Sequence, residues 1–201
     1  MGKSFYRGAA AISCCVFVVT VLAAVARAQT VESGVLDELN FARQTPGAYA
    51  QSLLRDAALL RAEAAKDDDA GAFDEAVDFL RKQGPLPPLR GDDALAGAAL
   101  AHAQIQGQEG SLGHDTDTES FDERLARLGV KAAVVAENIS YGFTNPRDVV
   151  RQLVVDAGVP DRGHRDIIFN PELRVAGVGC APHKIYGSMC VVDFADAPTR
   201  R

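Results

Sequence analysis

Clustered basic residues are missing from this chain, whose 21 Lys and Arg are outnumbered by 27 Asp and Glu for a net charge of −6 at pH 7. A phosphate-binding face needs Lys and Arg grouped together, so nucleic acid is excluded as a partner. Also absent are H-E-x-x-H, C-x-x-C and the glycine loops that cradle nucleotides. G-x-S-x-G is missed at its first position, in Glu109-Gly110-Ser111-Leu112-Gly113. The acidic run Asp67-Asp68-Asp69 lacks the alternating oxygen ligands and closing Glu of an EF-hand, and is expected to be a solvated turn. A multidomain assembly does not fit into 201 residues. With 47% hydrophobic and 24% charged residues the composition is that of an ordinary globular domain, which excludes compositional disorder.

The N-terminus carries an export signal. Lys3 and Arg7 precede an apolar stretch from Ala9 to Ala26, which closes on Ala26-Arg27-Ala28 before Gln29. A basic start, an apolar middle and a small-x-small site make residues 1–28 a signal peptide, and the polar residues that follow favour cleavage over retention as an anchor. Cleavage removes three positive charges and no acidic residue, taking the net charge from −6 to −9. The product is expected to be secreted, extracellular or periplasmic, with no stable membrane insertion. Such an acidic domain is not drawn to anionic lipid but tolerates divalent cations. Cleavage also removes Cys14 and Cys15, and in an oxidising compartment the remaining Cys180 and Cys190 suggest one disulfide.

Residues 29–201 are expected to form one α+β domain, helices first and a small antiparallel sheet late. A helix from Glu32 carries Leu36, Leu39 and Phe41 and stops at Thr45-Pro46, where Thr45 can cap a second helix and Pro46 can start it. Tyr49, Leu53, Ala57 and Leu60 share one face of that second helix. After the break at Lys66 to Gly71, a short helix turns Phe73, Val77 and Leu80 inward, and Gly84 to Pro88 forces an extended link. Asp92 or Asp93 caps the next helix, with Leu95, Ala99, His102 and Ile105 inward, and Gly107 to Thr118 is expected to be a polar loop. Ser120 and Glu123 have capping-box spacing ahead of Leu125 and Leu128. A helix from Asn145-Pro146 buries Val149, Val150, Leu153 and Val154. Arg174 to Cys180 and Ile185 to Phe194 then form a hairpin turning over residues 181–184, with Cys180 and Cys190 on neighbouring strands.

Four histidines and a few acids carry whatever chemistry there is. His102 is expected to be a hydrogen-bonded core residue and His183 an exposed loop residue. His114 and His164 stand out, because Gly113-His114-Asp115 and Gly163-His164-Arg165 are polar loops in which glycine lets the imidazole project. Glu137 follows Ala132 to Ala136 and precedes Asn138-Ile139, so its carboxylate is partly buried and needs a partner: a histidine, a metal or an arginine.

The order of these segments resembles the CAP superfamily (cysteine-rich secretory, antigen 5 and pathogenesis-related proteins), and in particular its bacterial SCP-like extracellular domains. The resemblance runs from Leu36 to Phe194 and rests on Leu36 to Arg43, Leu86-Pro87-Pro88-Leu89, Gly113-His114, Ala136-Glu137-Asn138-Ile139, Gly163-His164-Arg165 and Gly177-Val178-Gly179. It implies an α-β-α sandwich with a small antiparallel sheet between helical layers, and a cleft lined by two histidines and two acids. Carried over residue by residue, these are His114 and His164, Glu137, and Asp156. Many members have Trp and Glu where this chain has Leu153 and Asp156, and Gly where it has Ala136.

The resemblance further implies that His114 and His164 bind a divalent metal such as Zn²⁺, with an acid and water completing a tetrahedral site. Family members have been linked to metal binding, peptidase activity, and the binding of sterols or other lipids. Three functions follow. The first is a secreted domain that binds a metal and recognises an extracellular ligand: lipid, sterol or cell-envelope component. The second is a zinc-assisted hydrolase with Glu137 or Asp156 as general base, and the third a structural or adhesive envelope protein with packed histidines.

Overall fold

A computed structural model describes residues 29–198. The signal peptide expected over residues 1–28, including Cys14 and Cys15, lies outside the described residues. Within them, no helix is long and apolar enough to cross a membrane.

α1 (Val31–Gln44) opens on a capping box between Thr30 and Ser33. α2 (Pro46–Leu54) starts on Pro46 as expected, but Thr45 gives its hydroxyl to the Phe41 carbonyl instead of capping. The expected second helix is two: the chain breaks at Arg55-Asp56 and resumes as α3 (Ala57–Ala64). A 3-10 turn over Ala65–Asp67 ends on Asp68 in the left-handed region. α4 (Ala72–Lys82) buries Phe73, Val77 and Leu80. After the proline-rich link comes β1 (Arg90–Gly91), and then α5 (Asp93–Glu109), whose N-cap is the Asp92 side chain.

α5 is longer than its polar end suggests. Gly107 lies within the helix, and a Cβ there would meet the Pro182 carbonyl oxygen at 2.2 Å, so only glycine allows the helix to run on against the sheet. Ile105 points outward, 38% exposed, and Gln106 takes the buried position. α6 (Phe121–Arg127) has both halves of the Ser120–Glu123 capping box. β2 (Val135–Tyr141) and α7 (Pro146–Val155) follow, α7 capped by Asn145 and burying its four expected residues. α8 (Gly163–Ile168) precedes the hairpin. The chain closes with β3 (Val175–His183) and β4 (Gly187–Ala195).

The sheet order is β1-β3-β4-β2, antiparallel except for the two-residue parallel pairing of β1 with β3. α5 packs on one face; α1 and α7 pack on the other, backed by α2 and α4. This is the α-β-α sandwich. The larger core joins Leu39, Leu53, Phe73, Val150 and Leu153 to Val178, Val192 and Phe194 of the sheet, and the smaller clusters lie under α5.

The hairpin turns later than expected, at residues 184–186, because Pro182 and His183 still pair with Ser188 and Gly187. Cys180 and Cys190 lie directly opposite with Cα atoms 4.1 Å apart and are disulfide-bonded. His183 is buried rather than exposed: its ring accepts the Ile185 and Tyr186 amides and donates to the Ser111 carbonyl, tying the turn to the end of α5.

Candidate functional site

β2 is an edge strand, and a cleft of about 290 Å³ opens beside it. Both singled-out histidines line this cleft, with Gly113, Ile139, Tyr141, Leu153 and Asp156. They arrive from opposite faces of the sheet, His114 from the loop after α5 and His164 from α8.

His114 projects because Gly113 takes a φ of 103°, a conformation that glycine adopts at little cost. Its Nδ1–H donates to Glu137 Oε1 at 2.8 Å, and this bond outweighs the lowering effect of partial burial and raises the imidazole pKa above the usual histidine value. Glu137 is buried, and its second oxygen accepts from Arg124, itself 1% exposed. Two of the three partners considered for Glu137, a histidine and an arginine, are therefore present. Arg124 also donates to His102 Nδ1 at 3.0 Å and to the His114 carbonyl at 3.1 Å. His102 then passes its Nε2–H to the Gly113 carbonyl at 2.9 Å, as a core histidine whose pKa burial lowers. One buried guanidinium thus fixes the acid, the loop and the histidine behind it.

The second pair is built differently. His164 is not in a loop but at the second position of α8, and Arg162, not Gly163, takes the left-handed conformation at φ 53°. Asp156 ends α7 at φ 58°, which reverses the chain so that its carboxylate meets the residue eight positions on. Its Oδ1 accepts His164 Nδ1–H at 2.6 Å and its Oδ2 accepts the Arg165 amide at 3.1 Å. The Asp156 carbonyl accepts from Arg162 at 2.9 Å; Arg162 also pairs with Asp69 and Glu75, and Arg165 with Glu75. Asp69 therefore belongs to an ion-pair clasp that pins the α7–α8 turn, while Asp67 and Asp68 are exposed.

Each imidazole thus spends Nδ1 on a buried carboxylate and keeps Nε2 for the cleft, an orientation that suits a metal ligand backed by an acid. Each oxygen of both carboxylates already accepts a hydrogen bond, which holds Glu137 and Asp156 behind the imidazoles. Among the described residues no three His, Cys, Asp or Glu side chains converge where a metal ion could sit. The nitrogens left to face the cleft are the Nε2 atoms of the two imidazoles.

Residues 75–194, which hold all four side chains of these pairs, match the family described as Cysteine-rich secretory protein family, CAP. The chain belongs to the CAP family. The match starts at Glu75, whereas the resemblance read from the sequence starts at Leu36, so α1, α2 and α3 precede it. Solved structures similar to this CAP protein include an extracellular protein containing an SCP domain from Bacillus anthracis, 23% identical over 62% of this chain and 38% of that one, with a TM-score of 0.48. Another is an outer surface protein from Borrelia burgdorferi, 17% identical over 74% of this chain and 96% of that one, TM-score 0.46. No curated protein matches.

Two functional neighbours escape a sequence reading of this CAP domain. Arg124 sits among the charges of a short amphipathic helix, where nothing marks it as buried. Asp193 is the other, fully buried and opposite Glu137 in the β2–β4 register. Neither of its oxygens receives a donor from the described residues. Burial first, and the Glu137 charge second, raise its pKa well above the carboxylate range. As a carboxylic acid it can itself donate to Glu137, which an ionised Asp193 could not. Its signal in sequence is an acid inside the apolar run Met189 to Phe194.

A second cavity of about 440 Å³, between α3 and α7, adjoins the first, since Gln152 and Ala157 line both. Its floor is apolar, with Leu60, Phe143 and Val155, and its rim charged, with Glu63, Lys66 and Asp148.

Proposed function

We propose that this CAP domain is a secreted recognition module whose cleft binds a divalent metal such as Zn²⁺ through the Nε2 atoms of His114 and His164, beside a site for an extracellular ligand. The observation that carries the reading is that two histidines 50 residues apart in sequence line one cleft, each held at Nδ1 by a buried acid. Neutral imidazoles suit a borderline cation, and the carboxylates behind them fix ring orientation and raise ligand basicity. Glu137 and Asp156 are positioning groups in this reading. Every oxygen of the two carboxylates already accepts a hydrogen bond within the two pairs, which favours this role over that of a general base. A bound zinc would supply Lewis acidity to whatever completes its coordination.

Zinc titration by calorimetry tests the reading. Binding to the native protein should be lost in His114→Ala and in His164→Ala, each checked for native circular dichroism. Affinity unchanged in both variants would leave the packed-histidine, adhesive role standing instead.

A further inference from the structure

The edge beside the cleft has a hydrogen-bonding deficit. The Gly142 amide donates to Ser188 at 2.8 Å and the Asp196 amide to Val134 at 3.0 Å, at the two ends of the β2–β4 ladder. Hydrogen-bonded and non-hydrogen-bonded pairs alternate in an antiparallel ladder. Even-numbered residues of β2 therefore face β4, while Glu137, Ile139 and Tyr141 send N–H and C=O to the other side. No backbone or side-chain group among the described residues meets them there. Yet Glu137 and Ile139 are only 5% and 7% exposed, and Ile139 and Tyr141 line the cleft. Buried backbone groups are almost always paired, so the deficit calls for a partner.

We propose that the cleft takes an extended peptide segment, which adds to β2 as an outer strand alongside His114 and His164. This rests on the reading of the cleft as a recognition site and names the chemistry of its ligand. Donors and acceptors that alternate at strand spacing are matched by another peptide backbone; an acyl chain or a sterol offers no such series. Side chains of an added strand alternate between the two faces. Those on the α7 side meet Leu153, Ala157 and Val159, so an apolar residue is selected there; those on the α5 side meet His114 and Tyr141. At about 290 Å³ the cleft is at the small end of ligand pockets, which suits a short stretch of a longer chain.

Amide exchange followed by NMR tests this, with pools of acetylated, amidated hexapeptides carrying one fixed residue per pool. A binding pool should slow exchange of the Ile139 and Tyr141 amides at least tenfold and leave Asn138 and Ser140, already paired to β4, unchanged. N-methylation at alternate peptide residues should remove the protection. If no pool protects the two amides, or sodium decanoate protects them equally, the proposal fails. Zinc is absent from this experiment, so the two readings separate: protection without zinc binding sinks the metal site, and zinc binding without protection sinks the peptide.

Discussion

Asp193 shows how one side chain couples the sheet to the site. It belongs to a non-hydrogen-bonded cross-strand pair, the kind in which side chains approach most closely, and its neighbour is the acid that orients His114. Two ionised carboxylates side by side, with Arg124 serving one of them, would leave a buried charge uncompensated. The protonated form avoids this. An acid whose folded pKa is raised contributes stability at low pH and loses it as pH rises from the unfolded value toward the folded one, by up to about 1.4 kcal/mol per pH unit. Asp193→Asn keeps a donor for Glu137 and removes the titration. Urea unfolding from pH 4 to pH 8 should therefore show the variant gaining on the native protein as pH rises, with near parity at pH 4. A pH-independent difference would mean that Asp193 is ionised in the fold.

At the scale of elements, the crossing of α5 over β3 sets where the loop with His114 begins, and three glycines make it possible. A Cβ at Gly177 would lie 1.9 Å from the Ala96 nitrogen, one at Gly179 2.1 Å from the Leu100 nitrogen, and one at Gly107 2.2 Å from the Pro182 oxygen. All three obstacles are backbone, which cannot swing aside. The motif Gly177-Val178-Gly179 is visible in the sequence as part of a family likeness, but its cause is visible only in the packing. Gly177→Ala or Gly179→Ala should cost at least about 3 kcal/mol, the upper range for overpacking. Gly97 is the control: it is exposed in the same helix with nothing within 4 Å of an added methyl, so Gly97→Ala should gain about 1 kcal/mol in urea unfolding. Equal effects at the two kinds of position would show that α5 stands off the sheet.

Over the whole molecule, what could be read in advance follows the range of the interaction. Caps such as Asp92 and Ser120 are local, and the paired strands announce themselves by composition; the caps stand where their residues place them and the strands do so up to a later turn. The α2–α3 break, the helix under His164 and the burial of His183 depend on distant neighbours, and sequence periodicity missed them. The disulfide lies between these extremes, since only the register could tell whether Cys180 and Cys190 face each other. It spans a sequence separation of only 10, so the loop entropy it removes from the unfolded chain is about 3 kcal/mol at most. The proposed zinc and peptide sites sit instead along β2, held by Arg124 and by the clasp around Asp69. Cys180→Ala with Cys190→Ala should therefore lower the urea midpoint by an amount worth about 1–3 kcal/mol while His114 and His164 keep their zinc affinity. Collapse of zinc binding in a variant that is still folded would mean that the hairpin, and not the β2 edge with its buried cations, positions the two imidazoles.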